Sequence, residues 1–335
     1  MGSRLTILST KLPVTEDSLN PPDVKTAQPC TAARDAPSVT VRDLLLLLYL
    51  YPVQFVLKYF PRDVLYVIGG AVEPILQMVY RGWRKRVEGR MLALLGSAIT
   101  SDLAPRLARE LVRGSLFRLI DDLVINRPQF LRETRCAISG LEHLDSAKAD
   151  GKGVLLITGH FYANRLARRY LAAQGYPILI VRLRNAPSSL AGRLTGPLVE
   201  ERLAKHLDRV IQDEVYVDNP GCTLKILQRL RSGGLVAITV DGWWGGRVLQ
   251  SKLFGIRRTF STGMLDMVRL CGCAVVPMQF FGRSSDLRIA FGAPLDIVKT
   301  SSRDEFVSAN LPVFISVLET QIRENPGEWT LWGDI

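Results

Sequence analysis

Cysteine and histidine, two side chains that commonly hold transition metals in proteins, are scarce in this chain. Its 335 residues include five cysteines and three histidines. The cysteines form no C-x-x-C pair and the histidines are scattered, so the sequence predicts neither a metal site nor a bound cofactor. An odd number of cysteines without paired spacing also argues against a disulfide framework and indicates reduced thiols.

Apolar runs long enough to form a clean membrane-spanning helix are also lacking. The first run, residues 44–57, has about 14 residues and contains Pro52, whereas a bilayer requires roughly 20. A second stretch, residues 64–80, is interrupted by Glu73 and Pro74. Both segments favour interfacial or re-entrant helices that seat the protein on a membrane, with burial as core helices as the alternative.

The first 38 residues lack a sustained apolar period. They hold five prolines among serine, threonine and aspartate, which is typical of a disordered tail. A secretory signal is not expected, because no positively charged start lies directly before the apolar run and no small-residue cleavage site follows it. We therefore divide the chain into a tail (1–38), a membrane-associated helical region (39–118) and an α/β domain (119–335) that stays in the cytoplasm.

Acidic residues are too few to balance the basic ones. The chain has 43 Lys and Arg against 32 Asp and Glu, a net charge of +11. Residues 81–118 concentrate this excess beside the apolar segments, which favours an anionic membrane surface, with a solvated helix face as the alternative. Nucleic acid is not an expected partner, because zinc-finger spacing, a basic-leucine pattern and basic strands with interleaved aromatics are all absent from the sequence.

From residue 153 onwards, short apolar runs alternate with helical segments, a pattern typical of an α/β core. The predicted strands are residues 154–158, 178–183, 235–240, 274–280 and 287–291. The predicted helices are residues 163–174, 222–232 and 262–270. His160 lies between the first of these strands and the first helix. Ligands of open α/β sheets bind at the carboxyl ends of strands, so this placement directs the imidazole into a site, whereas a histidine without such a context is more often structural.

Two runs around His160 carry a resemblance to a known family. They are ISGLEHL at 138–144 and GKGVLLITGHF at 151–161. Further matches follow in order: GYP at 175–177, LRSGGL at 230–235 leading to Asp241, FG at 254–255, AVVP at 274–277 and NPGEW at 325–329. As an ordered set covering about residues 50–332, these pieces resemble the lipid A late acyltransferases, which attach secondary acyl chains during lipopolysaccharide assembly.

The resemblance implies a fold, a reaction and a location. The fold is an α/β fold whose mixed sheet is flanked by helices, as in glycerolipid acyltransferases. The reaction moves a fatty acyl chain from acyl-carrier protein or acyl-CoA to a hydroxyl of a phosphoglycolipid, such as a lipid A precursor. The location is the cytoplasmic face of the inner (plasma) membrane.

The sequence departs from the family's catalytic motif. In that motif an Asp or Glu follows the histidine after four residues and orients the imidazole. Arg165 occupies that position here, an alignment through Asn164 places Leu166 there instead, and residues 161–199 contain no acidic residue. Loss of the orienting carboxylate in triad chemistry costs several orders of magnitude in rate, so a working enzyme requires an acid from elsewhere in the fold.

Asp241 is the best candidate for the missing acid. It follows the predicted strand 235–240 and should therefore reach the same edge of the sheet as His160. The family's site also has an Asp at a matching strand end. A turn-forming role before Gly242 is the alternative.

Four arginines are predicted to bind substrate, because guanidinium groups hold phosphate bidentately. They are Arg165, Arg168, Arg182 and Arg247. The phosphate would belong to the glycolipid or to the phosphopantetheine of the donor. Arg247 matches a basic residue of the family and is further expected to stabilise the oxyanion of the tetrahedral intermediate. For the arginines that follow His160, a solvated basic helix is the alternative.

Two functions are compatible with the sequence. In the first, His160 acts as the general base of an acyltransferase and removes the proton from a lipid hydroxyl. In the second, the chain is a catalytically impaired relative that binds lipid or acyl carrier without turnover. The second rests entirely on the missing motif acid.

Overall fold

The computed structural model describes residues 47–334 apart from 126, 128, 183–197, 199–212, 218, 244 and 245, together with Val39 and Leu44. The predicted tail, residues 1–38, lies outside the described residues.

A mixed sheet forms the centre of the described structure. In chain order the strands are β1 (Cys136–Ser139), β2 (Val154–Thr158), β3 (Ile178–Arg182), β4 (Glu214–Tyr216), β5 (Leu235–Thr239), β6 (Val248–Leu253), β7 (Ile256–Ser261), β8 (Ala274–Phe281) and β9 (Leu287–Phe291). Strands β6 and β7 pair as a separate antiparallel hairpin. The other strands form one sheet in the order β1-β9-β8-β2-β5-β3-β4, parallel except for the antiparallel pair β8 and β9. The predicted mixed α/β sheet is confirmed.

Helices precede the sheet and cover it. The first set is α1 (Gln54–Leu57), α2 (Arg62–Val79), α3 (Arg81–Leu95), α4 (Leu103–Val124) and α5 (Phe130–Glu133). The second set is α6 (Leu141–Ala149), α7 (Asn164–Ala173), α8 (Cys222–Arg231), α9 (Gly263–Cys271) and α10 (Arg303–Glu324). The strands and helices predicted after residue 153 are all present, with ends that differ by at most one residue.

Strand β2 lies in the middle of the sheet, with β8 on one side and β5 on the other. All five of its residues are buried. A parallel strand covered on both faces reads as a continuous apolar run without alternation, which explains why the sequence VLLIT predicts it. The carboxyl end of β2 is therefore a fixed point from which the next residues leave the core.

Helices α3 and α4 belong to the same core as the sheet. Val87 and Met91 of α3 and Leu111 of α4 pack in the cluster that also contains the β2 side chains. The division proposed between residues 118 and 119 lies inside α4, so the helical region and the α/β domain share one helix and part of one core.

Helix α2 carries apolar residues on two opposite faces. On one face Leu65 packs in a small cluster with Phe117 and Ile120 of α4. On the other face Val67 and Met78 are 73% and 70% exposed. In the part of the chain that the structure describes, no single helix has the length and apolar composition to cross a membrane; only α2 together with segment 81–98, bent by 78°, passes that test as a pair.

Candidate active site

The imidazole of His160 lies beside the carboxylate of Asp241 at the carboxyl edge of the sheet. Nδ1 of His160 and Oδ1 of Asp241 are 2.6 Å apart, and the backbone N–H of His160 donates to Oδ2 of Asp241 at 2.9 Å. The Asp241 side chain is inaccessible to solvent, whereas 42% of the His160 side chain is exposed. Because Nδ1 is held by the carboxylate, Nε2 is the nitrogen available to a substrate. The predicted contact between these two residues is present.

Strand register explains why residues 81 positions apart meet. Thr158 of β2 and Thr239 of β5 are partners in the parallel ladder, and the N–H of Val240 donates to the carbonyl of Thr158 at 2.8 Å. His160 and Asp241 each follow their strand's last residue by two positions, so equal offsets from paired residues place them side by side.

Gly159 lies where the segments that carry His160 and Asp241 approach each other closely. A Cβ atom there would lie 2.7 Å from Cδ1 of Leu318 and 3.3 Å from Oδ2 of Asp241. The first distance, and one of 2.8 Å to Cε2 of Phe161, are too short for carbon contacts. A side chain at this position would therefore push the Leu318 and Phe161 side chains aside and crowd the carboxylate that holds His160.

The C-terminal segment completes the support of the pair. The indole Nε1 of Trp329, which is fully buried, donates to Oδ2 of Asp241 at 2.7 Å. Both the backbone N–H and the hydroxyl of Thr330 donate to the carbonyl of His160, each at 2.8 Å. Sequence reasoning treated the NPGEW run only as part of a resemblance and missed these roles. The carboxylate thus accepts hydrogen bonds from the His160 ring, the His160 backbone and Trp329.

Burial and charge act in opposite directions on the two groups. Burial lowers the pKa of His160, but the charge and hydrogen bond of Asp241 outweigh it and the net shift is upward. Burial likewise raises the pKa of Asp241, but the charge of His160 and the hydrogen bonds from His160 and Trp329 hold that pKa below its usual range. Asp241 is therefore an ionised carboxylate that makes the neighbouring imidazole more basic.

Arg165, which occupies the position of the family's motif acid, pairs with Asp122 of α4. The site therefore has a basic residue of α7 bound to an acid of α4, while the acid beside the imidazole comes from the end of β5. Sequence reasoning did not find Asp122 as a partner. Because the guanidinium of Arg165 is held by Asp122, Arg165 joins α7 to α4. The predicted contact of Arg165 with substrate stays a prediction.

Loss of Asp122 alone should destabilise the protein more than loss of the whole pair. Asp122→Leu leaves the guanidinium of Arg165 buried without a counter-charge, and we expect the free energy of unfolding to fall by about 3–5 kcal/mol. The double variant Asp122→Leu, Arg165→Met should recover most of this loss because no charge is then buried. Urea denaturation of both variants measures the difference; equal losses would show that the pair does not act as a unit.

Arg182 and Arg168 differ in how their guanidinium groups are used. Arg182, at the end of β3, donates to both carboxylate oxygens of Glu214 at 2.9 and 3.1 Å. Nε of Arg168 donates to the carbonyl of Asn164 at 3.2 Å, and Arg168 has no carboxylate within 4 Å among the described residues. Its charge lowers the pKa of His160, so it acts on the reactive imidazole. Among the described residues no acidic side chain pairs with Arg168, so its guanidinium is a candidate to bind an anionic group of the substrate.

Burial also affects the basicity of Arg168. It lowers the pKa of the guanidinium to about 9, against the opposing effect of the Glu214 carboxylate. Arg168 is half-buried, and a bound anion would offset part of this effect.

Arg247 and Arg258 occupy different positions around the β6–β7 hairpin. Arg247 precedes β6 and is exposed, and no contact in the described structure joins its side chain to His160 or Asp241. Arg258, on β7, is half-buried, and Asp241 raises its pKa although burial lowers it by more. The sequence analysis named Arg247 and not Arg258, because the residues of the hairpin show no clear apolar alternation that would indicate an inward-facing arginine.

Within the described ranges no cluster of three or more His, Cys, Asp or Glu could hold a metal ion. The described cysteines are free thiols. Burial raises the pKa of Cys273 to about 12, so this thiol stays protonated at neutral pH.

Comparisons with known proteins identify the family of this chain. Residues 123–332, more than half of the chain, match the model of the bacterial lipid A biosynthesis acyltransferases. No curated protein matches the chain at a significant level. Among solved structures, the crystal structure of the 1-acyl-sn-glycerophosphate (LPA) acyltransferase PlsC from Thermotoga maritima shares 15% sequence identity, with a TM-score of 0.36, over 86% of this chain and 98% of that one.

The family match includes every element that builds the site from β2 to the C-terminal segment. His160, Asp241 and Trp329 all lie inside it. This chain belongs to the bacterial lipid A biosynthesis acyltransferase family and is an acyltransferase that acts on lipid.

Proposed function

We propose that this protein transfers a fatty acyl chain from a thioester donor to a hydroxyl of a phosphoglycolipid, such as a lipid A precursor, with His160 as the general base. The observation that carries the proposal is the contact between Nδ1 of His160 and the buried carboxylate of Asp241, 2.6 Å away. This carboxylate replaces the acid that the motif position lacks.

The reaction follows from the orientation of the ring. Nε2 of His160 takes the proton of the acceptor hydroxyl, and the oxygen attacks the thioester carbonyl carbon, whose π electrons move to its oxygen. When the tetrahedral intermediate collapses, the C=O bond reforms and the C–S bond breaks. The leaving thiolate takes the proton from His160. Asp241 holds the imidazole in the required tautomer and stabilises the imidazolium that forms.

Arg168 is the residue best placed to bind a phosphate of the substrate. Its guanidinium has no carboxylate partner within 4 Å among the described residues, and its charge lowers the pKa of His160. Acyl-carrier protein and acyl-CoA both present their thioester on phosphopantetheine, so either donor supplies a phosphate, and so does a phosphorylated glycolipid acceptor. Arg165 and Arg182, which pair with Asp122 and Glu214, would shape this basic pocket and add to its positive potential.

The test is an acyl-transfer assay with the full chain in detergent micelles. Acyl-carrier thioester and acyl-CoA are supplied separately with a lipid A precursor, and mass spectrometry detects the product. A mass increase of one acyl chain is expected with one of the donors. Binding of the precursor without any product from either donor would favour the impaired relative, which binds but does not turn over.

The proposed location is the cytoplasmic face of the inner membrane, with α1 and α2 lying on the lipid. Exposed apolar side chains on these helices and on the turn between them form what we term the apolar face: Phe55, Tyr59, Val67, Ile75 and Met78. Nζ of Lys58 lies 4.2 Å from the ring centre of Phe55, and α3 begins with the basic residues Arg81, Arg84, Lys85 and Arg86. An apolar face with adjacent cations suits an anionic bilayer surface.

Acidic substitutions on the apolar face should weaken membrane binding. We expect Val67→Glu with Met78→Glu to lower partitioning onto anionic phospholipid vesicles at least tenfold, because two apolar side chains no longer enter the lipid and two negative charges face it. The matched control is Leu224→Glu with Leu270→Glu, on α8 and α9, whose side chains are 56% and 53% exposed. Vesicle flotation measures binding; equal losses in both double variants would contradict this placement.

A further inference from the structure

Arg258 lies on the inward face of the β6–β7 hairpin. Alternate residues of a strand share a face, so Arg258 is on the same side as Phe260, which is buried in the core, while Arg257 is exposed on the other side. The hairpin is fastened next to the site, because the N–H of Ser261 donates to the carbonyl of Gly242 at 2.9 Å. Gly242 directly follows Asp241.

One nitrogen of the Arg258 guanidinium has no hydrogen-bond partner among the described residues. Its Nη1 is buried and has no hydrogen-bond partner, and no carboxylate lies within 4 Å of it among the described residues. The centre of the Trp243 ring lies 6.0 Å from its Cζ. Arg303, by contrast, is bound to Asp266 at 2.7 and 2.9 Å. Because buried donors in proteins are nearly always paired, an unpaired one beside a catalytic pair points to a ligand acceptor.

The carboxylates that act on the Arg258 guanidinium also act on the His160 imidazole. Burial lowers the pKa of Arg258, while the carboxylates of Asp241 and Asp334 raise it. Asp334 also raises the pKa of His160. Asp241 and Asp334 thus act electrostatically on both the guanidinium and the imidazole.

We propose that Arg258 binds the carbonyl oxygen of the acyl thioester and stabilises the oxyanion formed when the acceptor attacks. This role rests on the acyl transfer proposed above. When the hydroxyl oxygen bonds to the carbonyl carbon, the C=O electron pair moves onto the oxygen, and Nη1 of Arg258 donates a hydrogen bond to it. When the C–S bond breaks, the pair returns to the C=O bond and the charge leaves with the thiolate. Donors directed at a developing oxyanion raise the rate of the chemical step, and the exposed Arg247 lacks this inward placement.

Neighbouring arginines on opposite faces of β7 provide the test. Arg258→Gln should lower kcat about 10²–10³-fold, the typical effect of losing one oxyanion donor, with KM for the donor changed less than threefold. Arg258→Lys, which keeps the charge, should retain more activity than Arg258→Gln. The matched control Arg257→Gln should stay within twofold of the wild type.

A donor analogue in which a thioether replaces the thioester separates chemistry from binding, because it has no carbonyl oxygen. Wild type and Arg258→Gln should bind it equally well. Equal kcat in Arg258→Gln and Arg257→Gln, or a loss confined to KM, would overturn the role of Arg258.

If Arg258→Gln does not fold by circular dichroism, the folded Arg258→Lys variant decides: kcat at least tenfold below wild type supports the role, and wild-type kcat refutes it. A wild type without transfer from any thioester would instead reject the proposed function.

Discussion

Replacement of His160 by alanine is expected to lower the rate of acyl transfer by about 10²–10⁴-fold, the usual contribution of a positioned general base. In the proposed mechanism Nε2 of the imidazole takes the proton, and no other described side chain is bound to Asp241 in a way that could replace it. Steady-state rates with thioester donor and lipid acceptor measure the effect.

A second substitution at the same position separates the loss of the base from the loss of a contact. In His160→Asn the amide N–H can still donate to the buried carboxylate of Asp241, so this variant should keep nearly the wild-type free energy of unfolding. It should be as inactive as His160→Ala because it has no base. Substantial acyl transfer in His160→Asn would contradict the role of the imidazole.

The variant Asp241→Asn is expected to lower kcat by about 10³–10⁴-fold, the scale seen when the carboxylate of a catalytic triad becomes an amide. The carboxylate accepts from the His160 ring, the His160 backbone and Trp329, and an amide has only one oxygen for these donors. The imidazole then loses its orientation and its stabilised cation. Binding of the lipid acceptor should change little, since the apolar face and Arg168 are untouched.

The pH profile of this variant gives a second readout with a defined sign. In the proposed mechanism acyl transfer requires neutral His160, so activity should fall as the pH drops through the pKa of the imidazole. In the wild type Asp241 raises that pKa, whereas burial lowers it. With the charge of Asp241 removed, the lowering effects of burial and of the Arg168 charge outweigh the smaller raising effect of Asp334, and the acid limb of kcat/KM should move to lower pH. An unchanged limb or a move to higher pH would show that Asp241 does not act on the base.

The sheet and the position of its reactive edge were predictable from local pattern. Strands β2, β5 and β8 are buried between neighbours, and such strands produce apolar runs that stand out in the sequence. A contact between His160 and Asp241, 81 residues apart, followed from the expectation that both strands end at one edge. The strand order and register, which the sequence does not show, bring the two side chains close enough to form a hydrogen bond.

The partners of the arginines were not predictable in this way. Asp122 pairs with Arg165 from a helix 43 residues earlier in the chain, and local spacing carries no signal for such a contact. The hairpin β6–β7 was also missed, because its residues are mostly half-exposed or exposed and show no clear apolar alternation. This is why Arg247 rather than Arg258 was selected.

Helix α10 was missed although its start carries a recognisable signal. The hydroxyl of Ser302 accepts from the N–H of Glu305 at 3.2 Å, and a serine followed three residues later by glutamate is the signature of a capping box. The helix supplies Leu318, whose side chain lies against Gly159. Helix α10, which the apolar pattern did not indicate, thus packs against the segment that carries His160.

Mass spectrometry of the glycolipids of cells that carry or lack this chain tests the central claim most directly. The account predicts that cells lacking it accumulate a glycolipid lighter by one acyl chain, and that the wild-type chain restores the full mass whereas His160→Asn does not. Identical glycolipid masses with and without the chain, or full restoration by His160→Asn, would contradict acyl transfer by the pair of His160 and Asp241.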